Sequence, residues 1–364
     1  MKRFIYVAGI DYEFKGVDFR IFANNRMKRR INSNKAKDEL AFTIFDVHRG
    51  EVYTNSVTYP KGKKAEAPAT TTPKAALTKA NYDASRGADG ETHYRFKDGQ
   101  RDKMSIVDVY KEVQKIGSRD PGTLVELSFF SHAWYGGPIL VNSYDDAIVT
   151  TTPPGSATPV ATPVPVNARD PDDMDPRGAK DFIAPTMTAV QLDNFQKAFG
   201  PNSFIWIWGC TFPRLVHEFL HKVEHHPKYK DTGVGDDEVF NFKRLDSAMA
   251  DYLEAFLSPA LGGPFPDKKN IDLKFKFIKY FFCLMTVSTY VHTIAVNSKV
   301  KAFGANVGTY ADYDEGVSLP LMNVHSGFTR HFTFYKNYMG FAFDPEGRRY
   351  GEYRPNFTCS APPP

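Results

Sequence analysis

The chain has 364 residues, of which 42% are hydrophobic and 14% aromatic, so it can fill a sizeable core by itself. Its 46 Lys and Arg residues nearly balance its 42 Asp and Glu residues, and the net charge is only +4. This balance leaves no extended basic surface to hold a nucleic-acid backbone, so we expect no nucleic-acid partner. The densest basic run, residues 26–30, ends a predicted helix, where we expect a solvated face.

The spacing of the cysteines and the length of the apolar runs indicate the cellular compartment of the protein. Cys210, Cys283 and Cys359 are far apart, odd in number and in no CxxC pair, which argues against a disulfide framework and predicts a reducing compartment. The apolar run at 4–10 is too short for a signal peptide. The uncharged stretch at 281–296 is shorter than the roughly 20 residues that a membrane span needs. We therefore expect no membrane partner, and a cytoplasmic protein or one exported without a signal peptide.

Strand-like and helix-like segments alternate along the chain. Continuous apolar runs, typical of strands buried on both faces, occur at 4–10, 40–47, 124–130, 203–208 and 300–305. Apolar residues at helical spacing predict helices at 17–31, 106–116, 190–199, 213–226, 245–256 and 275–296. This alternation selects right-handed crossovers between parallel strands. We therefore expect an α/β protein, a three-layer α/β/α fold on a mainly parallel, doubly wound sheet.

Three segments do not fit this pattern. Residues near 60–100 and 150–180 are rich in Pro, Thr, Gly and charge and lack apolar periodicity, so we expect low-complexity surface insertions. Residues 318–364 are rich in Phe and Tyr, and the pattern gives them no place in the sheet. The predicted organisation is an α/β domain over 1–317, interrupted by these insertions, and an aromatic-rich C-terminal extension over 318–364.

Two predicted strands end at reactive side chains. The strand at 124–130 runs into His132, and the strand at 203–208 runs into Cys210. In open parallel sheets, reactive groups collect beyond the carboxyl ends of the strands. If these strands are neighbours, their spacing of roughly 4.8 Å brings imidazole and thiol into one crevice. An imidazole and a following helix N-terminus both favour the thiolate, so Cys210 is the candidate nucleophile and His132 the candidate base.

Residues that follow these strands are candidates for binding a substrate. Gly136 and Gly137 offer backbone N–H groups without a Cβ in the way, as a developing oxyanion requires. We expect the loops at 133–145 and 306–316, the latter with Asn306 and Asp312, to hold a protein or peptide substrate.

The pattern resembles the caspase, legumain and gingipain class of cysteine peptidases, the caspase-like fold. In that class the catalytic His follows one central strand and the catalytic Cys ends the next strand after a small residue. The matching positions are Ser131-His132 after LVELSFF and Gly209-Cys210 after SFIWIW, and the likeness in element order runs from about residue 4 to 310. The resemblance implies a cysteine peptidase without a cofactor. The chain departs from the class at Ala133, where the class usually has Gly, so the oxyanion donor does not carry over.

A competing motif is HEFLH at 217–221 on a predicted helix. His217 and His221 lie one turn apart and can bind Zn²⁺ while Glu218 activates a water, so a zinc metallopeptidase is the alternative function. The simpler interpretation, which we favour, is a polar helix face formed by these histidines with His225 and His226. A further alternative is a non-enzymatic toxin, effector or phage-associated binding protein. Neither the biological substrate nor the oligomeric state follows from the sequence.

Overall fold

A computed structural model describes residues 1–12, 16–74, 82–86, 92–96, 104–141, 148–151, 160–163 and 187–363. The chain divides into two compact units. The first contains Met1–His132, Pro138–Phe204 and Gly316–Leu321, and the second contains Ala133–Gly137, Ile205–Glu315 and Met322–Pro364. This division assigns almost all of the predicted C-terminal extension to the second unit, together with residues 205–315.

The strands in chain order are β1 (Lys2–Ala8), β2 (Leu40–Asp46), β3 (Glu51–Thr58), β4 (Ala65–Glu66), β5 (Thr70–Pro73), β6 (Tyr82–Arg86), β7 (Thr92–Phe96), β8 (Leu124–Phe130), β9 (His132–Trp134), β10 (Gly137–Ile139), β11 (Ile148–Thr151), β12 (Val160–Pro163), β13 (Phe199–Ile207), β14 (Val239–Lys243), β15 (Asn270–Lys274), β16 (Lys301–Gly304), β17 (Ala311–Tyr313), β18 (Met322–Val324) and β19 (Gly351–Tyr353). The helices are α1 (Phe19–Ser33), α2 (Ile106–Arg119), α3 (Ala189–Ala198), α4 (Arg214–Glu224), α5 (Ser247–Leu261), α6 (Phe275–Val287), α7 (Tyr290–Ser298) and α8 (Thr329–Met339).

A nine-stranded sheet has the order β19-β16-β13-β8-β1-β2-β3-β4, and β5 also pairs with β3. Strand β1 is parallel to β2 and to β8, whereas β3 and β19 run antiparallel to their neighbours. The Ser203 hydroxyl donates to the Leu124 carbonyl at 2.5 Å, and a Cβ on Gly200 would lie 2.6 Å from the Gly122 oxygen. These contacts pair Gly200 with Gly122 and Ser203 with Leu124, so residue numbers increase in the same direction along both strands. Strand β13 is therefore parallel to β8. The predicted α/β fold on a mainly parallel sheet is confirmed.

The predicted helices are confirmed with one correction. The stretch at 275–296, expected to be one helix, forms α6 and α7. The chain breaks between them because Thr289 has an extended backbone, with ψ at 153°, and its side chain accepts a hydrogen bond from the His292 N–H. A Thr in this position caps a new helix. Apolar composition is similar on both sides of the break, so hydrophobic periodicity alone does not reveal it.

The basic run at 26–30 is a solvated face only in part: Lys28 is exposed, but Arg26 is buried, contrary to the sequence-based expectation. Arg26 is 1% exposed, and its Nε donates to Glu126 at 2.8 Å, while Arg30 donates to the other carboxylate oxygen, also at 2.8 Å. Ser128 adds a third donor at 2.7 Å. Burial alone would raise the pKa of Glu126, but the two guanidinium groups outweigh it and lower the pKa from 4.5 to about 2. The buried carboxylate on β8 therefore anchors helix α1 to the sheet through two ion pairs.

The second unit has an aromatic core that includes the C-terminal segment. The indole rings of Trp206 and Trp208 stack at 4.1 Å, and the fully buried Tyr350 packs edge-on against both. A disulfide joins Cys283 on α6 to Cys359, with 5.8 Å between their Cα atoms. The expectation of no disulfide was therefore wrong. The two cysteines are 76 residues apart in sequence, and only the folded chain brings them together.

The predicted insertions contain short antiparallel pairs. Strands β4 and β5 pair with β3, β6 pairs with β7, and β11 pairs with β12. Most of the expected 150–180 insertion lies outside the described residues. None of the helices in the described ranges combines the length and apolar character that crossing a bilayer requires.

Candidate functional site

His132 begins β9 directly after β8, in the first unit, and is held by a carboxylate. Its Nε2 lies 3.2 Å from Oδ1 of Asp11, and the two side chains are 12% and 10% exposed. The other Asp11 oxygen accepts hydrogen bonds from the backbone N–H groups of Gly16 and Val17 at 2.8 and 3.0 Å. Asp11 therefore contacts both the backbone ahead of α1 and the imidazole.

Asp11 was not among the predicted functional residues. The available signal was its position: it follows β1, and β1 lies beside β8 in the sheet, so the same rule that selected His132 applies to it.

The Asp11 contact selects one form of the His132 ring. An ionised carboxylate can only accept, so Nε2 carries the hydrogen and a neutral ring keeps its lone pair on Nδ1. The ring of Tyr12 lies 4.6 Å away and that of Phe19 lies edge-on at 5.1 Å. His132 is thus held in one orientation and one tautomer, as a general base needs to be.

Cys210, in the second unit, follows β13 after Trp208 and Gly209 and lies outside the disulfide. Its sulfur accepts a hydrogen bond from the backbone N–H of Ala311 at 3.3 Å. Helix α4 begins four residues later, and its N-cap Pro213 provides no side-chain hydrogen bond. A backbone N–H donor stabilises negative charge on the sulfur that accepts from it.

Backbone hydrogen bonds fix the Cys210 segment to the loop that precedes β17. Thr211 donates to the Thr309 carbonyl at 3.0 Å, and Gly308 donates to the Thr211 carbonyl at 2.7 Å. Gly308 has a φ of +90°, and a Cβ there would lie 3.2 Å from the Cα of His217. The turn at Gly308 therefore needs glycine, and it holds the chain beside Cys210 in one place.

The other predicted binding residues have different surroundings. Gly136 and Gly137 are buried in the β9–β10 hairpin, and Gly137 has a φ of +139°. Asn306 is fully buried against Gly351, so its side chain does not face solvent. Asp312 is half-buried in β17, and its carboxylate accepts from the Tyr313 N–H at 2.8 Å. Substrate binding by these residues stays a prediction.

The HEFLH histidines have separate partners. Nδ1 of His217 lies 3.0 Å from Nε2 of His331, whereas the His221 ring stacks on His225 at 4.0 Å. Glu218 accepts from the exposed Arg214 at 2.7 Å. In the part of the chain that the structure describes, no group of three or more His, Cys, Asp or Glu side chains is arranged to hold a metal ion.

The polar-face interpretation holds for only part of this helix. His221 and His225 are exposed, but His217 is half-buried, and His226 packs its ring 4.6 Å from that of Phe240. Burial lowers the pKa of His217, and the neighbouring His331 acts in the same direction. Burial and His225 likewise lower the pKa of His221. Both shifts favour the neutral form of the imidazole.

No family model, curated protein or solved structure matches this chain. The resemblance to the caspase-like class therefore stays a prediction.

Proposed function

We propose that this chain is a cysteine hydrolase that acts on peptide or protein substrates, with Cys210 as nucleophile, His132 as general base and Asp11 as the residue that positions the base. The observation that carries the proposal is that a thiol and an imidazole each lie within three residues of the carboxyl end of one of two neighbouring parallel strands, β13 and β8. Reactive groups in parallel sheets are found at such strand ends.

The surroundings of each residue support its role. The lone pair on Nδ1 of His132 accepts the thiol proton, and the Asp11 carboxylate stabilises the imidazolium that forms. The N–H of Ala311 points at the sulfur, which lowers the cost of the thiolate.

The proposed chemistry is acyl transfer in two steps. The thiolate forms a bond to the carbonyl carbon of the substrate, and the C–N bond then breaks as His132 returns its proton to the leaving amine. In the second step a water molecule gives its proton to His132 and attacks the thioester, which releases the acid and restores the thiol. No oxidant, reductant or metal enters this sequence.

The test is site-resolved alkylation of the native chain with iodoacetamide, followed by mass spectrometry. We expect Cys210 to react at pH 6, well below the usual thiol pKa of about 8.5. His132→Asn should slow this reaction about tenfold or more and move its pH midpoint upward, because the thiolate loses its imidazolium partner. Asp11→Asn should have a smaller effect in the same direction. His225→Asn, an exposed histidine elsewhere, is the matched control and should leave the rate unchanged.

A peptide-library cleavage assay then separates a hydrolase from a binding protein. Cleavage that Cys210→Ala abolishes supports the proposal. A Cys210 that alkylates as slowly as an unperturbed thiol, in wild type and His132→Asn alike, would rule it out and would favour the non-enzymatic alternative.

A further inference from the structure

Four rings of the second unit form an aromatic cluster beside Cys210 that the proposed acyl transfer does not use. They belong to Phe212, Tyr310, His325 and Phe328. The Phe328 and Phe212 rings lie edge-on to that of Tyr310, at 4.8 and 5.6 Å between ring centres. The His325 ring lies 5.2 Å from that of Tyr310. Tyr310 is therefore the central ring of this aromatic cluster.

The four rings of the aromatic cluster differ in exposure. Phe328 is 7% exposed, Phe212 and His325 are half-buried, and Tyr310 is 38% exposed. Packing against three neighbours already restricts the Tyr310 ring, so the binding of a further group to it costs little side-chain entropy. An exposed ring with this support offers a preformed apolar surface.

The backbone places the aromatic cluster close to the sulfur of Cys210. Tyr310 precedes Ala311, whose N–H donates to that sulfur at 3.3 Å. The Cα of Tyr310 is two covalent bonds from the donor nitrogen, so it lies within about 6 Å of the sulfur. Phe212 follows Cys210 by two residues, and the Tyr310 carbonyl accepts from the His325 N–H at 3.1 Å. The backbone on both sides therefore holds these rings at a fixed place beside the nucleophile.

A peptide substrate can reach the Tyr310 ring. An extended chain advances about 3.3 Å per residue, so three residues cover roughly 10 Å. When the scissile carbonyl of a substrate lies at the Cys210 sulfur, the side chain of an adjoining residue is therefore within reach of Tyr310.

The chemistry of the aromatic cluster selects an aromatic side chain. Its rings are apolar apart from the Tyr310 hydroxyl and the His325 imidazole, and Nδ1 of His325 accepts a hydrogen bond from the Gly327 N–H at 3.0 Å. None of the four side chains carries a carboxylate, ammonium or guanidinium group that could pair with a charged residue. Aromatic pairs gain free energy beyond the area that they bury, so an aromatic side chain binds better here than an aliphatic one of the same size.

We propose that Tyr310 determines the specificity of the proposed reaction: the aromatic cluster binds a phenylalanine, tyrosine or tryptophan side chain of the substrate, next to the bond that Cys210 cleaves. The proposal rests on the assignment of Cys210 as nucleophile, since the short distance from its sulfur brings the Tyr310 ring within reach of the substrate. It narrows the substrate class from peptides in general to peptides with an aromatic residue beside the scissile bond.

The test uses thiol-alkylating probes that differ only in one side chain: the chloromethyl ketones of acetyl-phenylalanine, acetyl-cyclohexylalanine and acetyl-alanine. Mass spectrometry of the full chain gives the rate at which each probe alkylates Cys210, and division by its rate with free cysteine removes the intrinsic reactivity of the probe. We expect the phenylalanine probe to react about tenfold faster than the alanine probe, because it buries a benzyl group. It should react about threefold faster than the cyclohexylalanine probe, which has a similar size but no aromatic ring.

Variants at position 310 assign the preference to the ring. Tyr310→Phe keeps the ring and should keep the ratio of about ten between the phenylalanine and alanine probes, whereas Tyr310→Ala should reduce this ratio to about two or three. Each ratio is taken within one variant, so a change in the absolute reactivity of Cys210 does not affect it.

Equal corrected rates for the phenylalanine and alanine probes in wild-type protein would overturn the inference, and this result needs no variant to fold. A Tyr310→Ala variant that keeps the wild-type ratio would also overturn it. Failure of the hydrolase proposal gives a different result: iodoacetamide then alkylates Cys210 as slowly as an unperturbed thiol, while the ratio between the probes still reports on the aromatic cluster.

Discussion

The disulfide between Cys283 and Cys359 should supply a large part of the stability of the chain. It closes a loop with a sequence separation of 76 residues. In the chain-entropy account, a cross-link over a loop of this length destabilises the unfolded state by about 4.5 kcal/mol at 25 °C. Other contacts hold the same segment in the native state: Nε2 of His292 lies 2.9 Å from the Phe357 carbonyl oxygen, and the Phe357 ring packs 5.4 Å from that of Phe341. Reduction should therefore leave the native fold in place.

The assay is urea unfolding of the wild type with and without a phosphine reductant. We expect a loss of about 4 kcal/mol in the free energy of unfolding on reduction. The double variant Cys283→Ser with Cys359→Ser should match the reduced wild type and show no response to reductant. Cys210→Ser is the matched control and should keep the full response. Equal stability of the oxidised and reduced wild type, or two alkylatable thiols at 283 and 359 in unreduced protein, would refute the reasoning.

Two further predictions concern Glu126 and Gly308. The pKa of Glu126 is lowered from 4.5 to about 2, so the ionised carboxylate contributes about 3 kcal/mol to stability. This contribution is complete above pH 4.5 and is lost as the pH falls towards 2. Urea titrations across this range should show that loss in the wild type and not in Glu126→Gln. Gly308→Ala should destabilise the chain more than Gly340→Ala in thermal unfolding. Both positions have positive φ, but only the Cβ added at 308 would meet a backbone atom, the Cα of His217, at 3.2 Å. Equal losses would contradict the role of that contact.

Local patterns predicted the elements of this fold but not the contacts between distant ones. Apolar runs identified the strands at 4–10, 40–47 and 124–130 because each is buried on both faces, and periodicity is a property of a few consecutive residues. Asp11 and His132 meet across 121 residues, and His217 and His331 across 114. No spacing rule covers such distances, since the topology of the sheet and the packing of α4 on α8 determine them.

The same limit explains the errors. Arg26 was expected to face solvent because charge runs in a sequence are usually solvated, and only its pairing with Glu126, 100 residues away, accounts for its burial. The HEFLH spacing places His217 and His221 on one helix, but it does not reveal that His331, 114 residues away, lies 3.0 Å from Nδ1 of His217. In both cases a local pattern gave the position of a residue and not its partner.

Two buried glutamates show why partner identity matters for function. Glu126 accepts hydrogen bonds from two guanidinium groups, which stay charged at every pH at which the protein folds, so its own charge is fixed and its role is structural. Glu224 instead pairs with His331, an imidazole that also lies 3.0 Å from a second imidazole, that of His217. A guanidinium keeps its charge at ordinary pH, whereas an imidazole is a partner that can lose its charge there. The identity of the partner, more than burial, therefore distinguishes these two buried acids.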